Sequence, residues 1–196
     1  MEKDKADRRV RYTKKALENA MVVLLQARHI SKISVKSLCD IADVNRSTFY
    51  THYADQYDLL EQMSRDALDN IKRYLDINGA ADGAAAAPPS PVSVTETNLK
   101  MILEYAKRNS ELVMAFLSDN CDTVFQKKLM EMLDVIPTYI NFNIEGRVRD
   151  YLTGYMMSGC ISILKRWLQE GTPEPTREMT EIILQVINNG LAKFTK

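Results

Sequence analysis

The sequence predicts an all-α chain, and three observations carry that reading. Nearly every segment between helix breakers spaces its apolar residues by three and four, and no stretch sustains the alternation of a half-buried strand. Glycine, alanine and proline gather in "NGAADGAAAAPPSP", Asn78 to Pro91, which offers nothing to pack. The composition, 45% hydrophobic and 27% charged over 196 residues, is that of an ordinary globular chain with one good-sized core or two small domains.

The first helix is expected after Thr13, a good N-cap residue, with Leu17, Ala20, Met21, Leu24 and Leu25 on one face and an end near Arg28. A second starts after Ser34 and buries Leu38, Ile41 and Ala42. Asp43-Val44-Asn45 then breaks it, and Asn45 can cap a third that runs to about Tyr53. Two short helices therefore meet across a tight turn. A longer helix follows from about Asp55 to Ile77, with Leu59, Leu60, Met63, Ala67, Leu68, Ile71 and Leu75 as its stripe. Residues 78–91 read as a flexible connection.

Beyond it, one helix is expected over Thr95 to Lys107 and a short one through Leu112 to Leu117. Another covers Asp122 to Ile136 and stops at Pro137. Two strongly patterned helices close the chain, Glu145 to Glu170 and Arg177 to about Phe194. In the last, Met179, Ile182, Ile183, Val186, Ile187, Leu191 and Phe194 form a stripe wide enough to be buried against more than one neighbour. Gly154, Ser158 and Ser162, four apart in the preceding helix, leave a smooth strip that a second backbone or the chain's own core can approach. The division expected is a first domain over residues 1–54 and a second over 55–196.

Several function classes find no support. Cys39, Cys121 and Cys160 are far apart and form no C-x-x-C pair, so they read as buried free thiols rather than a disulfide framework or zinc site. With only His29 and His52 besides, neither a metal centre nor a Cys/His nucleophile pair is indicated, and neither a cofactor nor an enzyme activity is expected. The longest aliphatic run, Ala20 to Leu25, is far short of a bilayer span, and the charged first fifteen residues lack the pattern of a secretory signal. A cytoplasmic protein without a membrane partner is expected. Residues 1–57 hold 11 Lys and Arg against 7 Asp and Glu, a net +4; residues 58–196 hold 15 against 19, a net −4. A basic first segment is compatible with a polyanion, though a solvated basic face accounts for it equally.

"NRSTFYTHY", Asn45 to Tyr53, concentrates the chemistry. Phe49 and Tyr53, four apart, face inward, which leaves Arg46, Ser47, Thr48, Tyr50, Thr51 and His52 for the outer side. Arginine suits bidentate contact with guanine, a threonine methyl suits thymine, and Tyr and His reach phosphates. That set fits the major groove of double-stranded DNA better than a metabolite.

The run "SVKSLCDIADVNRSTFYTHYADQYDLL", Ser34 to Leu60, extending back through "YTKKALENAMVVLL", resembles the DNA-binding domain of TetR/AcrR transcriptional regulators. "YLTGYMMSGCISILKRWLQEGTPEPTREMTEII", Tyr151 to Ile183, is similar to the C-terminal region of one branch of that family. The resemblance implies a helix-turn-helix domain joined to a helical ligand-binding and dimerisation domain. It implies a homodimeric repressor on a near-palindromic operator, with the last two helices of each subunit, including Gly154, Ser158, Ser162, Ile183 and Ile187, at the interface. It also implies DNA contacts at Arg46, Thr48, Tyr50, Thr51 and His52; by position, Ser47, Gln56, Tyr12 and Lys15 join them. Two residues depart from the pattern: Asp43 stands where glycine is usual in the turn, and neutral Gln56 where lysine is usual at the start of the fourth helix. The same branch includes coactivators that act through a partner protein or its bound metabolite, the alternative reading.

The leading cations Lys3, Lys5, Arg8, Arg9, Arg11, Lys14 and Lys15 suit an arm along the DNA backbone or in the minor groove, or a solvated tail. For the small-molecule effector that the resemblance implies, candidate lining residues are Met101, Tyr105, Met114, Phe116, Phe125, Tyr139, Tyr155 and Met156, with plain core packing as the alternative for each.

Overall fold

Local sequence chemistry sets the order of elements in the computed structural model, which describes residues 2–80, 96–121 and 146–190, with side chains over 8–74, 96–121, 146–148 and 150–187. Among the described residues there are eight α-helices and no strand: α1 Glu2–Ala27, α2 Val35–Ala42, α3 Arg46–Tyr50, α4 Gln56–Ala80, α5 Glu96–Arg108, α6 Ser110–Phe116, α7 Arg147–Gln169 and α8 Thr176–Gly190. They fall into two compact units. One lies within Met1–Ala67 and Glu111–Gln126, the other within Leu68–Ser110 and Lys127–Lys196.

In the first unit, α1 packs on α2 and α2 on α3. Leu17, Ala20, Met21, Leu24 and Leu25 of α1 are buried, as are Leu38, Phe49, Leu59 and Leu60, as the periodicity predicts. After α1 a short 3-10 turn, Ile30–Lys32, is capped by His29, whose ring accepts from the Ser31 amide. It sits against residue 120: the Ile30 amide donates to the Asn120 carbonyl (2.9 Å), and the Asn120 side-chain amide donates to the Leu25 carbonyl (2.9 Å). Helix α2 begins with a reciprocal cap, in which the Ser34 hydroxyl accepts from the Ser37 amide and the Ser37 hydroxyl from the Ser34 amide. It ends on Asp43 in the left-handed conformation, φ 52° and ψ 47°, which an aspartate tolerates.

Helix α4 starts with a second reciprocal cap. Asp55 accepts from the Tyr57 and Asp58 amides, while Asp58 accepts from the Ala54 amide; one such cap contributes about 1 kcal/mol. The Ala54 N–H, followed by the Gln62 amide, holds the Asp58 carboxyl below its ordinary value. With the folded value depressed, this cap is at full strength above the ordinary carboxylate range and is lost as pH falls through the lowered value.

The second unit packs α5 and α7 on α8. Leu103, Ala106, Met156, Met157, Trp167, Leu168, Met179 and Ile183 are its buried residues. Helix α7 stops in a Schellman arrangement: the Thr172 amide reaches the Trp167 carbonyl (2.8 Å), the Gly171 amide reaches Leu168, and Gly171 takes the positive φ of 79° that this ending requires. Trp167 is buried, and its indole N–H donates to the Glu174 carbonyl.

Several sequence expectations change, among them the end of the third helix, which stops at Tyr50 instead of about Tyr53. Helix α1 starts at Glu2, not after Thr13, because nothing in residues 2–12 breaks a helix and Asp4 and Asp7 stand four residues before Arg8 and Arg11, a supportive spacing. The basic leader is thus helical rather than a tail. Ile41 is exposed, because an eight-residue helix that buries Leu38 and Cys39 turns position 41 outward. Asn45 holds the N-cap backbone conformation of α3 without a side-chain cap bond. The first three residues of the expected connection, 78–80, continue α4; 81–91 lie outside the described residues, as does the helix expected over 122–136.

Candidate nucleic-acid interface

Phe49 and Tyr53 hold the α3 segment by its inner side. Both are buried, their rings 5.6 Å apart, and Phe49 also meets the Tyr50 ring edge-on at 5.6 Å. The ammonium of Lys14 on α1 lies 5.7 Å from the centre of the Tyr53 ring, an attraction of about 0.5–1 kcal/mol at a partly exposed site. Burial pushes the Tyr53 phenol up to about 12, with the carboxylates of Glu18, Asp66 and Asp58 adding to it, so the ring stays neutral between α1 and α4.

With that side anchored, Arg46, Ser47, Tyr50 and Thr51 are exposed, and Thr48 and His52 half-buried. Seven residues of chain, about two turns, therefore carry a guanidinium, three hydroxyl residues, a phenol and an imidazole, of which Arg46, Ser47, Tyr50 and Thr51 are open to the outward side. Thr51 is less free than the others: its hydroxyl donates to the Thr48 carbonyl at 2.6 Å, which leaves it lone pairs only. Gln56, half-buried, opens α4 directly after this segment. Lys15 is exposed and paired with Glu18 at 3.4 Å, a contact weak enough to be exchanged for another anion. The cation–π partnership of Lys14 was missing from the sequence reading, because only tertiary packing sets Lys14 beside Tyr53.

The other candidate residues separate. Met114 and Phe116 lie in the first compact unit, and Met101, Tyr105, Tyr155 and Met156 in the second. Met101 and Tyr105 are half-buried, with the Tyr105 ring 5.8 Å from that of Tyr74, and Met156 is buried. Tyr155 is 70% exposed, although its neighbour Met156 is buried. Phe125 and Tyr139 lie outside the described residues. No group of three or more metal-ligating side chains occurs among the described residues.

Gly154, Ser158 and Ser162 all face outward on α7. A Cβ built on Gly154 or Gly159 meets nothing within 4 Å, so packing among the described residues does not require glycine there. Around this strip Val148, Tyr151 and Tyr155 are exposed, and on α8 so are Ile182 and Val186. Ile187 is half-buried. Ile183, expected on an intersubunit face, is only 2% exposed and belongs to the chain's own core; the width of the α8 stripe divides between an inner row, Met179 and Ile183, and an outer row, Ile182 and Val186. Tyr151, three residues before Gly154, was missed in the sequence, although that spacing places it beside the strip; Ile182 and Val186 were read as part of the α8 stripe but not separated from its core-facing row.

Residues 95–189 match the family model TetR_C_8, described as a transcriptional regulator C-terminal region. A curated relative, the uncharacterized HTH-type transcriptional regulator YxbF of Bacillus subtilis (strain 168), is 24% identical over 191 residues; the match covers 95% of this chain and 48% of the relative, so the chain spans about half that protein's length. Among solved structures, a TetR transcriptional regulator from Streptococcus agalactiae 2603V is 27% identical with a TM-score of 0.60, covering 93% of this chain and 97% of the other. The fatty acid degradation regulator FadR from Bacillus halodurans shares the fold at 12% identity, with a TM-score of 0.62 and coverage of 91% and 96%.

Proposed function

Because the chain belongs to the TetR family of transcriptional regulators, we propose that it is a dimeric repressor that binds a near-palindromic DNA operator and releases it when a small molecule occupies the C-terminal unit. The observation that carries this reading is the outward face of α3, where Arg46, Ser47 and Tyr50 are exposed while Phe49 and Tyr53 anchor the helix from behind. Residues at the start of such a helix meet base edges, and those toward its end meet phosphates. Arg46, Ser47 and Thr48 are assigned to the bases; Tyr50, His52, Gln56 and Lys15 are assigned to the backbone, and Thr51 joins them only by turning its hydroxyl from the Thr48 carbonyl to a phosphate.

Dimerisation is supported by the outward apolar rows of α7 and α8, since glycine inside an exposed helix costs about 1 kcal/mol relative to alanine and nothing among the described residues explains it. For the effector, half-buried Met101 and Tyr105 and buried Met156 are the candidates among the described residues of the second unit. Neutral Gln56 and acidic Asp43 beside the reading face favour a second reading, a coactivator that works through a partner protein.

The test separates specificity from affinity. Arg46→Ala is expected to relax discrimination between operator variants by about 1–3 kcal/mol at one base position, whereas Tyr50→Phe weakens all sequences alike. Binding isotherms on a set of single-base operator variants decide it. A changed base preference for Tyr50→Phe, with none for Arg46→Ala, would reverse the orientation assigned to α3.

A further inference from the structure

The helical leader carries more charge than the reading head needs. On α1, Arg8, Arg11, Tyr12 and Lys15 follow the i, i+3, i+4, i+7 rule and lie on the side opposite the buried Leu17, Ala20, Met21 and Leu24. All four are exposed, Tyr12 at 80%. Over residues 2–15 there are seven cations against Glu2, Asp4 and Asp7, a net +4, so pairing within the segment leaves an excess. The place of this stripe follows from two anchors in the first unit. The far end of α1 is tied to Asn120 through the Leu25 carbonyl, whereas Lys14 sits over Tyr53, directly after the reading segment. At 1.5 Å per residue, the part of α1 ahead of Lys14 runs on for about 18 Å.

We infer that this extension is a second DNA-binding element, a helical strut whose Arg8, Arg11 and Tyr12 contact the phosphate backbone flanking each operator half-site. The inference rests on the DNA-binding reading above. A helix with its side chains is about 10–12 Å across and the minor groove about 6 Å wide, so the segment does not enter that groove as an extended arm would. It tracks phosphates, one per about 3.4 Å of duplex axis on each strand, and adds affinity without adding base discrimination. Tyr12 contributes a hydroxyl donor that needs no counterion release.

The experiment compares the full chain with an Arg8→Gln/Arg11→Gln double variant on a duplex that the protein itself selects from random-sequence DNA, in two lengths. One is trimmed to the palindromic core and one carries six further base pairs on each side. Glutamine keeps the helix propensity of arginine, and an unchanged far-UV circular dichroism spectrum checks this. On the long duplex the variant is expected to lose about fivefold in affinity for each phosphate contact at 0.15 M salt, and the slope of log affinity against log salt should fall by about 0.9 per contact. On the trimmed duplex the two proteins should bind alike. Equal affinity and equal slope on the long duplex would overturn the strut, and so would an equal loss on both lengths, which marks a diffuse field instead of a flanking contact. Failure of the underlying reading looks different: the unmodified protein would then select no sequence, and Arg46→Ala would change nothing on either length.

Discussion

Ile182→Glu combined with Val186→Glu is expected to give a folded monomer that no longer holds its operator. Both side chains are exposed on α8, Val186 at 50%, while Met179 and Ile183 of the same helix are buried. In a two-fold interface each substitution counts twice, so four apolar side chains are replaced by four carboxylates that face one another. Burying one such side chain is worth about 1.5–3 kcal/mol, and the sum, roughly 6–12 kcal/mol, is comparable to the whole free energy of a micromolar dimer, about 8 kcal/mol. Ile183→Glu separates the two roles of the helix, because a charge at a 2% exposed position unfolds the unit rather than splitting a dimer. Sedimentation equilibrium with circular dichroism distinguishes these outcomes. A double variant that remains dimeric would move the interface off this face.

The second large effect is expected at the back of the reading helix. Phe49→Ala removes a fully buried ring that contacts both Tyr50 and Tyr53, and deletions of this kind cost about 3–5 kcal/mol. Arg46 lies less than one turn before Phe49 and Tyr50 directly after it, so the side chains assigned to DNA lose their frame along with the core. Chemical denaturation should show the loss of stability, while Arg46→Ala leaves stability unchanged because that residue is exposed. A loss below 1 kcal/mol for Phe49→Ala would mean that α3 is held by something other than this ring.

The reading head was legible because each of its parts has a local cause. Four-residue spacing turns Phe49 and Tyr53 inward, Ser34 caps α2, and Asp43 accepts a left-handed turn. Boundaries that depend on the absence of a breaker were harder: residues 2–12 hold no capping pattern, yet they continue α1 because no glycine or proline stops them. The partition of the α8 stripe was not readable either. Ile182 and Ile183 are chemically alike, and only the positions of α5 and α7 decide which one enters the core. The candidate effector residues suffered from the same ambiguity, since methionine and tyrosine at helical spacing suit a core, a lining or an outer face, and Tyr155 took the last.

The most direct measurement is selection of bound fragments from random and upstream genomic DNA by the full-length protein at 0.15 M salt, followed by the stoichiometry of the selected complex. An enriched imperfect palindrome bound by two protomers is expected, with half-sites about 34–36 Å apart or a multiple of that, and an affinity at least about 10³-fold above that for scrambled DNA. Binding of all fragments alike, or of none, would contradict it and leave the partner-dependent coactivator as the better reading of the same fold.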